Sequence, residues 1–404
     1  MAEPVRISLQ DVEEAAELIK DIAVLTPMEE SRWLSALTGH PVLLKCENLQ
    51  RAGSFKVRGA YTRMSHLTPE ERARGVVAAS AGNHAQGVAL AGQALGIEVT
   101  VFMPEGAPIP KEKATRAYGA NVVFHGRYLE DSLKEARAFQ ESTGAILIHP
   151  FDNAQVVAGQ GTVGLEILEQ APDVETVVVP CGGGGLLSGL AIAVKARRPH
   201  VKVIGVQAEG AAAYPPSLRA GHPVPLDSMS TMADGIAVGL PGEVTFAAVR
   251  DVVDEIVTVT EASLSRAVLA TLERAKMVVE PAGAAAVAAI LDDPGRFSTP
   301  TVGVLSGGNI DPLLLGKVIQ HGMAAAGRYL NLTLRIPDRP GGLARLLAEV
   351  GDAGANVIEV AHARIDADLS LDEVEVHLQL ETRGESHAEA MLTRLRECGY
   401  HVYE

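Results

Sequence analysis

The chain has 404 residues, 47% hydrophobic but only 4% aromatic, with 40 glycines and a formal charge of −15. That length suits two or three domains, and the cores must be built mainly from Ala, Val, Leu and Ile. The acidic balance excludes a phosphate-binding nucleic-acid surface, which needs clustered Lys and Arg, and no uninterrupted apolar run reaches membrane length. Cys46, Cys181 and Cys398 are scattered and odd in number, so neither a disulfide framework nor metal spacing can be read from them. With an N-terminus, residues 1–6, that has no apolar segment, this predicts a soluble cytoplasmic protein.

In chain order, Ser8 predicts the cap of a helix running to about residue 21, with Asp11, Glu13 and Glu14 suiting its dipole. Thr26-Pro27 breaks the chain. A short helix over 31–37 and a strand over 41–45 follow, and a helix opens near Lys56. From Gly75 a βαβ rhythm sets in. Strands are expected at 76–79, 99–102 and 122–124, with helices over 83–95, 111–118 and 129–142. A second set begins near Asn153: helix 155–169, strand 176–179, helix 186–196 and strand 203–206. The stretch 213–240 has little periodicity and reads as loop with short helices. Strand 256–259, helices 263–276 and 282–291, strand 302–305 and helix 312–326 complete the set. The continuous apolar strands imply parallel sheets covered on both faces, as two α/β lobes with a cleft between them.

The character changes at Gly327-Arg328. Strand 329–336, a turn at 338–342, helix 343–351, strands 356–364 and 374–380, helix 387–398 and strand 400–403 make a βαββαβ, ferredoxin-like unit of about 75 residues.

Four stretches could carry chemistry. Lys56, in Gly53-Ser54-Phe55-Lys56-Val57-Arg58-Gly59-Ala60, has small, aromatic and β-branched neighbours. Burial there would favour the neutral amine that attacks carbonyls, as in a Schiff-base lysine; the plain alternative is a solvated surface lysine. The run Cys181-Gly182-Gly183-Gly184-Gly185-Leu186 lies between a strand and a helix and predicts a phosphate cradle, against the alternative of a flexible turn. No Gly-Lys-Ser/Thr follows, which excludes a P-loop. A dinucleotide site stays open, with Glu209 as its ribose-binding acid, although the G-x-G-x-x-G spacing fails at Leu187. In Ser80-Ala81-Gly82-Asn83-His84, Ser80 and the adjacent amides suit a carboxylate and Asn83 suits an aromatic hydroxyl; an ordinary N-cap is the alternative. His84 reads as structural rather than as a base. Ser306, in Ser306-Gly307-Gly308-Asn309, follows a strand where open α/β sheets bind ligands; a plain turn is the alternative.

In type and order these four stretches resemble the threonine dehydratase family of fold-type-II pyridoxal-phosphate (PLP) enzymes, over about residues 5–325. The resemblance implies a two-lobed catalytic domain over 1–326, with the smaller lobe at about 53–150. It implies that Lys56 carries the cofactor and Asn83 meets the ring hydroxyl. Gly182, Gly183, Gly184, Gly185 and Leu186 would bind the phosphate, and Ser306 the pyridine nitrogen. Phe55 would pack near the ring and Glu280 would lie at its edge, while Ser80, Ala81, Gly82, Asn83 and His84 would receive the substrate. The C-terminal unit, 329–404, resembles an ACT domain. Arg339, Pro340, Gly341, Gly342 and Leu343, with Asn356, Val357 and Ile358, are its candidate effector contacts; a dimerisation unit without a ligand is the alternative.

The expected reaction turns L-threonine into 2-oxobutanoate and ammonia, with L-serine as a slower substrate, isoleucine or valine as effector, and a homotetramer as assembly. Lys56, once released, would take the Cα proton, and the cofactor phosphate would protonate the departing hydroxyl. A neutral hydroxyl at Ser306 implies a weaker electron sink than an Asp would, which favours elimination over transamination. Related serine racemases carry a serine where this chain has Ala81, so racemisation is expected to be slow or absent. Glu209 matches one ligand of their divalent-cation site, but 211–216 lacks the second acid, so no tight metal is expected. The rivals are a serine racemase or serine dehydratase of the same fold, an NAD-dependent oxidoreductase using the glycine run, and an amino-acid sensor with a vestigial cleft.

Overall fold

The computed structural model describes residues 6–363 and 372–403. The chain divides into two compact units, Met1–Leu315 and Gly316–Glu404.

The first unit holds two sheets. The smaller is wholly parallel, in the order Asn121–Phe124, Val99–Met103, Val76–Ala79, Ile146–Leu147. The larger runs Met28–Glu30, Val42–Lys45, Thr301–Val304, Thr176–Pro180, Lys202–Ala208, Glu255–Val259, and only its first pair is antiparallel. Every residue of Val76–Ala79, Val99–Met103, Thr176–Pro180 and Thr301–Val304 is buried, the signature of parallel strands covered on both faces.

The helix Lys56–Ser65 packs against Asn83–Leu95 and Ala154–Gln170 at backbone distance. A Cβ on Gly87 would come within 3.0 Å of the Lys56 carbonyl carbon, and one on Gly159 within 2.7 Å of the Arg58 carbonyl oxygen. A buried charge group fixes the same helix. Arg58 donates to both carboxylate oxygens of Glu47 at 2.8 Å and to those of Glu166 at 2.6 and 3.0 Å. Lys45 joins it, 2.6 Å from Glu166, and Arg58, Lys45 and Glu47 are fully buried. Lys56 is therefore held two residues from an anchored guanidinium.

The capping signals act as read: Ser8 and Asp11 form a reciprocal capping box at the start of Leu9–Leu18. That helix ends sooner than expected, with Ile19 as its cap. The helix expected over 263–276 keeps α geometry only through Glu261–Ala270 and continues as the π-turn Thr271–Ala275. The one expected over 282–291 begins at Ala285. Met28–Glu30, Ile146–Leu147 and Pro69–Ala73 are too short to give a periodic signal. Glu243–Val252 directly follows the aperiodic stretch, which itself holds the short helix Tyr214–Ala220.

The second unit has strands Tyr329–Pro337, Asn356–Ala363, Glu373–Glu381 and His401–Tyr403 and helices Gly342–Asp352 and Glu385–Glu397. The expected βαββαβ order is present. Its antiparallel sheet runs second, third, first, fourth strand, the ferredoxin-like arrangement. Leu332, Leu334 and Ile336 alternate inward with Val374, Val376 and Leu378 against Leu346, Val350, Met391 and Leu395 of the helices. Arg364, the expected end of the second strand, lies outside the described residues.

Candidate active site

A cavity of about 350 Å³ opens in the first unit, where loops leave the C-terminal ends of strands from both sheets. Ser80 follows Val76–Ala79, Gly182 lies just past Thr176–Pro180, and Ser306 just past Thr301–Val304. Phe55, Lys56, Ser80, Ala81, Gly82, Asn83, His84, Gly182, Gly183, Gly184, Gly185, Leu186, Glu280 and Ser306 all line this cavity.

Lys56 opens its helix with the amine inside the protein. Nζ donates to the Pro150 carbonyl at 3.1 Å and stands 5.1 Å from the centroid of the Phe55 ring. Burial pulls its pKa down to about 8, against the opposing pull of the Glu280 carboxylate. A neutral amine is thus accessible near physiological pH. Glu280 is itself buried, and desolvation together with Asp234 pushes its pKa up to about 7.

Asn83 is locked at both ends. Its Nδ2 donates to Glu280 Oε1, and its Oδ1 accepts from Asn309 Nδ2 at 2.9 Å. Asn309 also donates to the Ala52 carbonyl at 2.6 Å, which ties this loop to the segment preceding Lys56. Glu280 Oε2 is buried without a hydrogen-bond partner among the described residues.

The glycine run leaves no room for side chains. Gly184 has φ of +92°, and a Cβ there would lie 1.9 Å from the Tyr214 hydroxyl; one on Gly183 would meet the Phe151 ring at 2.5 Å. Tyr214 and Thr245 hold the loop by donating to the Gly183 carbonyl at 3.2 and 2.6 Å. Among the described residues, the amides of Gly182, Gly183, Gly184, Gly185 and Leu186 donate to no protein acceptor, and the helix Gly185–Arg197 starts beneath them. This geometry suits an anion cradle. A smaller one exists at the start of Asn83–Leu95. The Ser80 hydroxyl accepts from the Gly82 amide at 3.1 Å and keeps its own O–H to donate. The amides of Ala81, Asn83 and His84 have no protein acceptor among the described residues.

His84 lines the cavity, but its Nε2 is 2.7 Å from the Ile148 carbonyl and therefore donates to it. Burial pushes its pKa down to about 3, so the ring is neutral and fixed. Glu209 does not line the cavity, which leaves the dinucleotide reading without its ribose acid.

Sequence reading missed Phe151, Tyr214 and Thr245, which buttress the glycine run, and the Lys111–Asp234 ion pair in the cavity wall. The Asp234-Gly235 turn inside the aperiodic stretch was the one available signal.

In the second unit, Arg339 and Pro340 lie in the turn before Gly342–Asp352, which Gly341 caps in a left-handed conformation. Gly342 and Leu343 begin that helix. Asn356, Val357 and Ile358 lie on the edge strand, where a bulge separates Val357 from Glu359. A hollow on this sheet is lined instead by Asn331, Thr333, Glu359, His377, Gln379 and Tyr403, among others, and by none of the candidate effector contacts.

Residues 19–308 match the family described as pyridoxal-phosphate dependent enzyme. An L-threonine ammonia-lyase of Thermotoga maritima is 46% identical over 98% of this chain and 99% of its own length. The structure of a T.th. threonine deaminase superposes with a TM-score of 0.72 at 46% identity, covering 75% of this chain and 99% of that one. Maize serine racemase gives 0.74 at 35% identity, covering 79% and 99%. The cavity fits the cofactor on its own terms. The side-chain-free amide cradle suits a phosphate, the partly desolvated Lys56 amine suits an aldehyde, and Asn83 and Ser306 offer polar groups to a ring between them. The chain belongs to the pyridoxal-phosphate-dependent enzyme family.

Proposed function

We propose that the protein is an L-threonine ammonia-lyase, releasing 2-oxobutanoate and ammonia. The observation that carries this reading is the Lys56 amine, its pKa drawn down to about 8 by burial, in one cavity with two separate amide cradles. One cradle suits the cofactor phosphate and the other an amino-acid carboxylate. The bound cofactor supplies an electron sink for the substrate's Cα.

The chain's own groups do the rest. The helix start at Asn83 orients the carboxylate. Asn83, clamped by Glu280 and Asn309, would hold the cofactor ring at its hydroxyl, and Ser306 would offer a neutral hydroxyl to the ring nitrogen. Phe55 walls the ring. Lys56 would hold the cofactor through Nζ, and its free amine would be placed to accept the Cα proton. L-Serine, which lacks only the β-methyl, is the slower substrate. Ala81 has no proton to give, which speaks against racemisation; rapid formation of D-serine from L-serine would overturn that point.

We read the second unit as an ACT regulatory domain that binds isoleucine or valine through Arg339 to Leu343 and Asn356 to Ile358. The assembly is a cytoplasmic homotetramer, to be checked by light scattering. The deciding experiment is the absorption spectrum of the purified protein before and after L-threonine. A visible cofactor band that changes as 2-oxobutanoate accumulates supports the assignment; no band after added PLP overturns it.

A further inference from the structure

Lys111 stands on the helix Ile109–Ala117 and lines the cavity, yet nothing in the proposed chemistry uses it. Its Nζ lies 3.8 Å from where a Cβ on Gly82 would stand, which brings the ammonium beside the amide cradle at Ala81, Asn83 and His84. The side chain is only 8% exposed. Its ion-pair partner, Asp234 at 2.8 Å, is 56% exposed and well hydrated. An ammonium has three donors, and the hydrogen bonds among the described residues commit one, to Asp234 Oδ2.

We propose that Lys111 is a substrate-carboxylate ligand, shared between Asp234 and the incoming amino acid. This rests on the amino-acid-lyase reading of the same cavity. A carboxylate seated on the three amides meets the two uncommitted donors of Lys111. Asp234 balances the charge of Lys111 and can give it up to an incoming carboxylate at little cost, because its side chain is already 56% exposed. Neutral amides give direction, and the nearly buried ammonium gives charge selectivity, since charge-assisted hydrogen bonds are the stronger kind. The site therefore distinguishes an amino acid from its amide.

The test compares L-threonine with L-threoninamide on the holoenzyme, reading dissociation constants from the change in the cofactor band. Wild type is first checked for 2-oxobutanoate from L-threonine; its absence overturns the lyase reading itself. With turnover present, the acid is expected to bind better than the amide, and Lys111→Met to shrink that preference about tenfold or more. Lys111→Arg should keep most of it. Asp234→Asn, which removes the competing carboxylate, should increase the preference, and it carries the test if Lys111→Met does not fold. An unchanged acid-to-amide ratio in Lys111→Met overturns the assignment. So does equal weakening of both ligands in Lys111→Met and Asp234→Asn, which would mark the pair as a tie between loops.

Discussion

At Lys56, burial and one carboxylate act on the amine in opposite senses, and the balance can be read through pH. Capture of PLP by apoprotein needs the neutral amine, so its rate should climb with pH and level off above about 8. Glu280 raises the Lys56 pKa only while charged, which it is above about 7. In Glu280→Gln the climb should therefore shift to lower pH; a shift to higher pH, followed by stopped-flow absorbance, would contradict the geometry. Lys56→Ala should abolish turnover of L-threonine and the band of lysine-bound cofactor while leaving the far-ultraviolet circular dichroism unchanged. Lys56 and Asn83 were readable as candidates because each opens a helix, and Ser80 and Ser306 because each follows a strand. Lys111 and Tyr214 were not readable. Each reaches its place through a fold contact that spans more than a hundred residues or a stretch without periodicity, and no local pattern records such a contact.

At the scale of elements, the cradle and the helix bearing Lys56 depend on absent and buried groups. Gly184→Ala places a methyl against the Tyr214 hydroxyl at a φ that disfavours side chains. Cofactor affinity should fall about tenfold or more, the equivalent of about 1.4 kcal/mol, in equilibrium dialysis. Combining it with Tyr214→Phe should recover part of the loss. Arg58→Met leaves Glu47 buried without its counter-charge, which costs about 3–5 kcal/mol. Its melting temperature should drop well below that of Arg58→Lys, which retains a cation. The long helices and apolar strands announced themselves by periodicity. The π-turn Thr271–Ala275 and the two- and three-residue strands did not, because their geometry is imposed by neighbours rather than by local pattern.

For the whole molecule, the separation into two units predicts separable functions. Truncation after Ala326 should leave L-threonine turnover and remove any response to isoleucine or valine, measured by initial rates. The longer parallel strands of both sheets and the C-terminal βαββαβ order were legible from hydrophobic pattern, but Met28–Glu30 and Ile146–Leu147 were not. The order of strands within the large sheet was not, since Val42–Lys45 and Thr301–Val304 are neighbours in space and distant in the chain.

That strand order governs how the protein emerges from a ribosome. The small sheet is encoded without interruption between Val76–Ala79 and Ile146–Leu147, so it can close early from local contacts. The large sheet cannot. Thr301–Val304 fits between Val42–Lys45 and Thr176–Pro180, both made long before it, and it is the last strand of the first unit to be synthesised. The nascent chain therefore waits with two strand edges open, exposed to misassociation until the wedge arrives. The residue two places past that wedge is Ser306, so the cavity gains its last polar group just as the sheet closes. An unfinished chain thus lacks part of the pocket, and a free reactive aldehyde would meet a complete site only in a finished catalytic unit.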